Sequence, residues 1–348
     1  MTWFVTPWGG DVSGVASARR TYPRRDGLLV VLRDAEGTLG FGEATPLPGF
    51  GDDDLERARA ELVSSALPEA VDDPEAVLAG FRSPSARFAV ETALLDRLAR
   101  RRGVALSTLL GAQALGAPRS VLVGALLDDG FLDAARAALQ RGARALKLKA
   151  LGRELGEESR RLGELRRALG PEIELRLDLN GGLDAARARE ALGVYARHGV
   201  ALCEEPAAGA ELLELGREAT PWLADESALD PELFARFVAH PGCSGVVLKP
   251  SPIGGIERTL ARARALRAAG KHALVSHAFE GPVALAAAAE VALAAGGALG
   301  HGVDRHAALA AFPTLELPQL PEGAPLSIVR PPMAGLGLTL EGPWTSSG

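Results

Sequence analysis

The sequence is poor in cysteine and has no surplus of positive charge. Its 348 residues include two cysteines, Cys203 and Cys243. Two thiols cannot make the disulfide framework of a small secreted domain, and they are typical of a reducing cytosol. The formal net charge of −6 at pH 7 provides no excess of basic groups to neutralise phosphates, which argues against nucleic acid as the main partner.

Long uninterrupted apolar runs are also missing. The N-terminus has no basic region followed by an apolar core, so it does not resemble a signal peptide. The alanine-rich stretch 283–299 is apolar, but Glu290 and Gly296–Gly297 interrupt it, which favours a buried helix over a membrane span. We therefore expect a cytoplasmic protein without a membrane partner, either a monomer or a homo-oligomer.

The composition is that of a globular protein with a sizeable core, since 47% of the residues are hydrophobic and 24% are charged. Residues 1–105 are predicted to form an α+β segment. Two apolar runs, 27–34 and 39–44, flank the turn residues Glu36–Gly37, and this pattern predicts a β-hairpin.

Helices are expected after this hairpin, from the patterns at 52–67 and 83–102. The second pattern has Ser83 or Ser85 as a candidate N-cap. The tail 315–348 is rich in proline and glycine. We expect it to return and pack on the N-terminal segment, with a possible strand at 335–342.

Residues 106–314 have a different sequence pattern, in which short apolar runs alternate with amphipathic helical stretches. Equivalent positions in successive runs are 21 to 31 residues apart. Repeated β-then-α units of this size imply a parallel sheet. About eight of them favour a closed barrel. The predicted fold class is therefore α/β, a (β/α) barrel of the modified TIM type, with an α+β capping domain built from the N-terminal segment and the C-terminal tail.

Polar residues occur where the predicted strands end, which is where barrels carry their functional groups. Strand alternation directs one set of side chains into the barrel mouth. This set comprises Lys147 and Lys149, Arg176, Asp178 and Asn180, Glu204, Asp225, and Lys249 with Ser251.

Three of these residues, Asp178, Glu204 and Asp225, are carboxylates that would repel one another without a cation. A hard divalent ion with oxygen ligands, Mg²⁺ or Mn²⁺, would resolve this repulsion and leave positions open for a carboxylate substrate. The cation would make the α-proton of such a substrate removable, and a lysine with a lowered pKa would serve as the base.

Five further residues near these motifs are interpreted mainly as structural. Glu205 and Glu226, beside the proposed ligands, are expected to face away from the site and to form ordinary salt bridges. His277 is a candidate for the pocket wall. His301 and His306 are weaker candidates, because a single histidine is more often a hydrogen-bonded structural residue.

The motifs together resemble those of the enolase superfamily, in its muconate-lactonizing subgroup, and within that subgroup the o-succinylbenzoate synthases of menaquinone biosynthesis. The likeness extends over nearly the whole chain. It rests on Lys-x-Lys at 147–149, Asp-x-Asn at 178–180, Glu-Glu-Pro at 204–206, Asp-Glu-Ser at 225–227 and Lys-Pro-Ser at 249–251. It also includes the cap-like stretches 25–34 and 40–50 and the segments SHAFEG at 276–281 and GHGVD at 300–304.

The resemblance implies a role for each residue. The three carboxylates would bind Mg²⁺, Lys149 would remove the α-proton and help the hydroxyl leave, and Lys249 would stabilise the enediolate. Lys147 would tune the pKa of Lys149, and Asn180 would support the metal ligands. The substrate would be placed by Arg176, Ser251, Ser276 and Gly302. The loops near 19–25 and 46–50 would close over the site.

The implied reaction is dehydration of 2-succinyl-6-hydroxy-2,4-cyclohexadiene-1-carboxylate to 2-succinylbenzoate. Two departures touch the substrate pocket: Gly181–Gly182–Leu183 stands where many relatives have a tryptophan, and SHAFEG is less rich in serine than its counterparts. The alternatives are an N-succinylamino acid racemase or dipeptide epimerase of the same subgroup, a barrel that binds without catalysis, and a Schiff-base lyase.

Overall fold

An antiparallel three-stranded sheet begins the chain. The computed structural model describes residues 1–15, 21–65, 74–323 and 325–345. The strand order is β1-β2-β3, and the second and third strands pair as the predicted hairpin. The bounds are β1 Thr2–Asp11, β2 Arg24–Arg33 and β3 Leu39–Ala44.

Three helices, α1 Leu55–Ser64, α2 Pro74–Leu78 and α3 Pro84–Arg101, follow this sheet. Ser83 is the N-cap of α3, because its hydroxyl accepts a hydrogen bond from the Ala86 amide. The third helix packs closely on β3, where a Cβ on Gly42 would collide with the carbonyl of Ala89. Glycine is therefore required at this contact.

A seven-stranded parallel sheet follows, in the order β5 to β11, with helices between its strands. Its strands are β5 Ser120–Ala125, β6 Ala145–Lys149, β7 Glu174–Asp178, β8 Val200–Glu204, β9 Trp222–Ala224, β10 Cys243–Leu248 and β11 His272–Val275. The helices after α3 are α4 Leu106–Leu109, α5 Phe131–Gln140, α6 Leu155–Leu169, α7 Ala185–Ala196, α8 Pro231–Ala239, α9 Pro250–Ile253, α10 Ile256–Ala268 and α11 Pro282–Ala295.

The two edges of this sheet are joined by the short segment His301–Gly302. The carbonyl of His301 accepts from the Ser120 amide at 2.8 Å, and its amide donates to Pro118 O at 2.9 Å. On the other side, the Gly302 amide donates to Val275 O at 2.9 Å. The predicted eighth strand is thus a two-residue bridge, and the curled sheet agrees with an α/β barrel.

Four apolar side chains fill the interior of the barrel: Leu202, Leu223, Val247 and Leu274. Opposite faces of the strands pack against the helices, and the alanine-rich stretch forms the buried helix α11, as predicted. In the parts of the chain that the structure describes, no helix is both long and apolar enough to cross a membrane.

The C-terminal tail differs from its prediction in one respect. The strand expected at 335–342 is not formed, because Gly335 and Gly337 both have positive φ, 67° and 65°, and turn the chain. Strand β12 is instead Ser327–Val329, which pairs with β4, Gly116–Pro118.

The tail makes contacts with helix α3 and strand β1. The Leu336 amide donates to Asp96 on α3, and Arg100 donates to Leu338 O at 2.8 Å. Trp344 packs on Phe4 of β1, with ring centroids 6.3 Å apart.

Candidate active site and metal centre

A cavity of about 710 Å³ opens at the carboxyl ends of the barrel strands. Its wall combines strand-end residues with several loops, among them the loop after β3 and the loop after β11. Among the lining residues are Leu47, Phe50, Lys147, Lys149, Asp178, Asn180, Asp225, Glu226, Lys249, Ser276, His277, Phe279, Gly302 and His306. The size is within the usual range for small-molecule sites.

Three carboxylates converge at the base of this cavity. Asp178 ends β7, Glu204 ends β8 and Asp225 follows β9, so neighbouring parallel strands deliver them to one place. One oxygen from each lies within 4.8 Å of the other two. All three residues are at most 5% exposed.

Lysines contact this cluster from two sides. Lys147 Nζ lies 2.8 Å from Glu204 Oε2 and 3.4 Å from Asp178 Oδ2. Lys249 Nζ donates to both oxygens of Asp225, at 2.5 Å to Oδ2. Burial would lower the pKa of both ammonium groups, but the adjoining carboxylates outweigh it and raise the pKa of each above its usual value.

Lys149 has a different electrostatic environment. Burial lowers its pKa, and the neighbouring ammonium of Lys147 lowers it further, while Asp178 acts in the opposite direction. A lysine with a lowered pKa is the kind of amine that can accept a proton near neutral pH.

The donor set fits a hard divalent cation. It consists only of carboxylate oxygens, which Mg²⁺ and Mn²⁺ prefer. Glu226 adds a fourth carboxylate to the cavity, and its Oε2 has no hydrogen-bond partner among the described residues. Buried negative charge with an unpartnered oxygen calls for compensation, which a cation would supply.

Backbone strain is concentrated at the same strand ends. Among the described residues other than glycine, positive φ occurs at Asn180, Glu205 and Phe279, at 45°, 44° and 56°. Glu205 directly follows β8, Asn180 is two residues past the end of β7, and Phe279 is four residues past the end of β11. Such conformations are costly for residues with a Cβ and tend to cluster where function requires a fixed geometry.

The prediction for Glu226 is wrong. Its side chain faces the cavity, and its Oε1 accepts from Asn180 Nδ2 at 3.0 Å. Glu205 points away from the cavity as expected, but it forms no salt bridge in the described ranges. It is buried and accepts from the amides of Asp225 and Ser227 at 2.6 and 2.9 Å. Burial and the charge of Glu226 raise the pKa of Glu205 to about 7.

Two expected substrate contacts lie outside the cavity wall. Arg176 is fully buried one layer below Asp178, and its guanidinium donates to Glu174 and to Gly300 O, each at 2.5 Å. Ser251 is in α9, since β10 ends at Leu248 and the alternation ends with it. Ser276, Gly302 and Asn180 do line the cavity.

An aromatic cluster in the wall was largely missed from sequence. His277 stacks on His306 with centroids 4.2 Å apart, and Phe279 meets both rings edge-on. Burial lowers the pKa of His277, and it lowers that of His306 to about 3, so both rings are neutral at pH 7. The run SHAFEG contained the only local signal for this cluster.

The cap-side loops are placed in part as expected. Leu47 and Phe50 line the cavity, together with Gly14 and Val15. Residues 19 and 20 of the other expected loop lie outside the described ranges.

Comparison with known proteins identifies the family. Residues 130–343 match the family model described as enolase C-terminal domain-like, and residues 12–97 match that of the MenC N-terminal domain. The chain belongs to the enolase superfamily. The motifs predicted a resemblance to o-succinylbenzoate synthases, and this resemblance is confirmed.

Several characterised proteins are similar to this chain in sequence. The hydrophobic dipeptide epimerase of Roseobacter litoralis is 32% identical over 79% of this chain and 82% of its own length. The o-succinylbenzoate synthase of Shigella flexneri is 30% identical over 80% of this chain and 82% of its own length. PHYLLO from Arabidopsis thaliana is 30% identical over 76% of this chain, which spans only 17% of that longer protein.

Solved structures show the same enolase-superfamily fold. The L-Ala-D/L-Glu epimerase from Bacillus subtilis superimposes with a TM-score of 0.85 at 23% identity, over 97% of this chain and 98% of its own. The muconate lactonizing enzyme from Pseudomonas putida gives 0.82 at 23% identity, over 97% and 96%. At this identity the likeness concerns the fold alone.

Proposed function

We propose that this chain is an o-succinylbenzoate synthase. It would dehydrate 2-succinyl-6-hydroxy-2,4-cyclohexadiene-1-carboxylate to 2-succinylbenzoate in menaquinone biosynthesis. The observation that carries the proposal is the cluster of three buried carboxylates with lysines on two sides of one cavity. The match of residues 12–97 to the MenC N-terminal domain favours this activity within the superfamily.

Asp178, Glu204 and Asp225 would hold Mg²⁺, with Mn²⁺ as an alternative. When bound, the cation would neutralise the charge that develops on the substrate carboxylate. We also propose that residues 1–105, with 315–348, cap a catalytic barrel formed by 106–314.

The residues of the chain would divide the proton transfer and the charge stabilisation. Lys149 would take the proton from the carbon α to the carboxylate and would then give it to the departing hydroxyl, which leaves as water. The electron pair from the broken C–H bond completes the aromatic ring as the C–O bond breaks. Lys249 would stabilise the negative charge of the enediolate from the other side, and Lys147 would fix the carboxylates and disfavour protonation of Lys149.

The test is to incubate purified protein with Mg²⁺ and the cyclohexadiene substrate and to follow the aromatic product by its ultraviolet absorbance. We expect turnover that EDTA abolishes. Lys149→Arg keeps a positive charge but cannot act as a base, and it should lower kcat by at least about 10³-fold. Lys271→Arg is the matched control, because among the described residues this lysine donates to the carbonyls of His240 and Cys243, outside the cavity.

The second candidate is a racemase or epimerase of the same subgroup. The 32% identity to a hydrophobic dipeptide epimerase favours it, and opposed lysines suit removal and return of a proton from two faces. Incubation in D₂O with N-succinylamino acids and with hydrophobic dipeptides, followed by NMR, distinguishes it. Exchange of the α-proton without any dehydration of the cyclohexadiene would refute the synthase proposal.

A further inference from the structure

Two loops place an aromatic ring beside each of two cavity lysines. Phe50, in the loop after β3, lies with its ring centroid 4.6 Å from Lys249 Nζ. Phe279, in the loop after β11, has its centroid 5.9 Å from Lys149 Nζ. Both rings line the cavity. Ring faces attract ammonium groups and keep water from their flanks, so the positions of these loops set the surroundings of both lysines.

A single buried arginine joins the two loops. Arg25 is 1% exposed, and its guanidinium donates to Thr45 O and Pro46 O in the first loop, both at 3.0 Å. Its Nε donates to Phe279 O in the second loop, also at 3.0 Å. The donors of a guanidinium are fixed in one plane, so these three bonds fix the separation of the loops.

The second loop needs such support because of its backbone. Phe279 has a φ of 56°, a conformation that residues with a Cβ rarely adopt unless the surroundings impose it. Its amide donates to His277 Nδ1 at 3.1 Å, and its carbonyl accepts from Arg25. Glu43 of β3 secures the end of the same loop, accepting from the amides of Gly281 and Val283.

We infer that Arg25 is a positioning residue, which holds Phe50 and Phe279 against Lys249 and Lys149 by tying their loops together. This inference rests on the proposed catalytic use of the two lysines. Proton transfer depends steeply on alignment, and a displacement of about 1 Å can cost roughly 10²-fold in rate. Loss of Arg25 should therefore lower kcat by about 10- to 100-fold while KM changes less than about threefold.

The variants are Arg25→Met, which keeps side-chain length without donors, and Arg25→Lys, whose single amine cannot reach both loops in one plane. Arg87→Met is the matched control, because Arg87 is equally buried and donates to Glu75 and Gly254 O away from the cavity. The control should lose stability without the selective fall in kcat.

A double-mutant cycle with Phe279→Leu tests whether Arg25 acts through the loops. We expect Arg25→Met to lower kcat far less in the Phe279→Leu background than in the wild type. Equal effects in both backgrounds, or an Arg25→Met effect confined to Tm, would overturn the inference.

Amide hydrogen exchange gives a readout that does not depend on activity. In the Mg²⁺-loaded protein, Arg25→Met and Arg25→Lys should both speed exchange in residues 45–50 and 276–281, whereas Arg87→Met should not. Unchanged exchange in both loops would refute the positioning role. Faster exchange in a protein whose wild type fails to dehydrate the cyclohexadiene would refute the proposed function and leave the link between the loops intact.

Discussion

Replacing Asp178 by asparagine should separate the stability of the metal-free protein from its response to Mg²⁺. Asp178 is one of the three carboxylates at the base of the cavity, and asparagine has nearly the same shape without the charge. In EDTA the variant should be about as stable as the wild type. With saturating Mg²⁺ it should lack the increase in Tm that the wild type shows.

The near-equality in EDTA follows from opposing charges. At the 4.8 Å that bounds the three ligand oxygens, two carboxylates repel by about 3.5 kcal/mol at an effective dielectric constant of about 20. Asp178 therefore experiences about 7 kcal/mol of repulsion from Glu204 and Asp225 together. The attraction of Lys147 at 3.4 Å offsets about 5 kcal/mol of this repulsion, and Lys149 adds further attraction. The net change in unfolding free energy should be under about 2 kcal/mol.

The increase in Tm on addition of Mg²⁺ should differ clearly between the wild type and Asp178→Asn. A ligand at 100 times its Kd stabilises the folded state by about 2.7 kcal/mol. For a chain of 348 residues this corresponds to roughly 4 °C in Tm. Asp178→Asn removes one of three charged ligands, so this increment should shrink to about 1 °C or less at the same Mg²⁺ concentration.

Thermal unfolding by circular dichroism, in EDTA and across a Mg²⁺ series, measures both quantities. The matched control is Asp304→Asn, which alters a cavity carboxylate that pairs with Arg119 at 3.4 Å and is outside the cluster. It should keep the Mg²⁺ increment. The reasoning fails if Asp178→Asn retains the full increment, or if it loses several kcal/mol of stability in EDTA.

Three further substitutions test other parts of the structure. Glu226→Gln should raise the Kd for Mg²⁺ about tenfold in the same titration, because it removes a cavity charge. Tyr195→Phe should cost about 1–3 kcal/mol in denaturant unfolding, since Glu158 Oε2 then loses the hydroxyl that donates to it at 2.5 Å. For His301, burial lowers the pKa to about 4, against about 6.5 in the unfolded chain. Between about pH 6.5 and pH 4, the unfolded state binds a proton at His301 and the folded state does not. The free energy of unfolding should therefore fall by up to about 1.4 kcal/mol for each pH unit of acidification, and His301→Asn should reduce that slope.

The parts of the fold and site that could be predicted are those governed by short-range periodicity. The hairpin was predicted from two short apolar runs on either side of the turn residues Glu36–Gly37, and β2 and β3 do pair antiparallel there. In the barrel, parallel strands end at one edge and alternate side chains face inward. This rule alone places Lys147, Lys149, Asp178 and Glu204 at one cavity.

The rule fails where a strand stops. Strand β9 ends at Ala224, and Asp225 has φ −126° and ψ −95°, after which the chain enters a 3₁₀ turn. A period of two then no longer applies, so Glu226 faces the cavity beside Asp225 instead of away from it. Ser251 leaves the predicted face for the same reason, since helix α9 begins at Pro250.

Contacts between residues far apart in the sequence could not be predicted from local patterns. Arg25 and Phe279 are 254 positions apart, and nothing in either neighbourhood indicates that a guanidinium joins them. The glycines at 335 and 337 could have predicted a turn, since both adopt positive φ. The alternation of leucine at 335–342 instead led to the prediction of a strand.

Lysine usage carries a signal about the site that needs no family likeness. The chain has four lysines and 34 arginines, so arginine supplies almost all of its fixed positive charge. Three of the four lysines line the cavity, while Lys271 is outside it. Arginine cannot be deprotonated in a protein, because its pKa exceeds about 12, whereas a buried lysine can lose its proton near neutral pH. Apart from Lys271, every positive side chain outside the cavity is an arginine, so a lysine in the cavity marks a position at which proton transfer or a compact ammonium, and not charge alone, determines the residue. The Lys149→Arg and Lys271→Arg pair tests this directly, since only the first should abolish turnover.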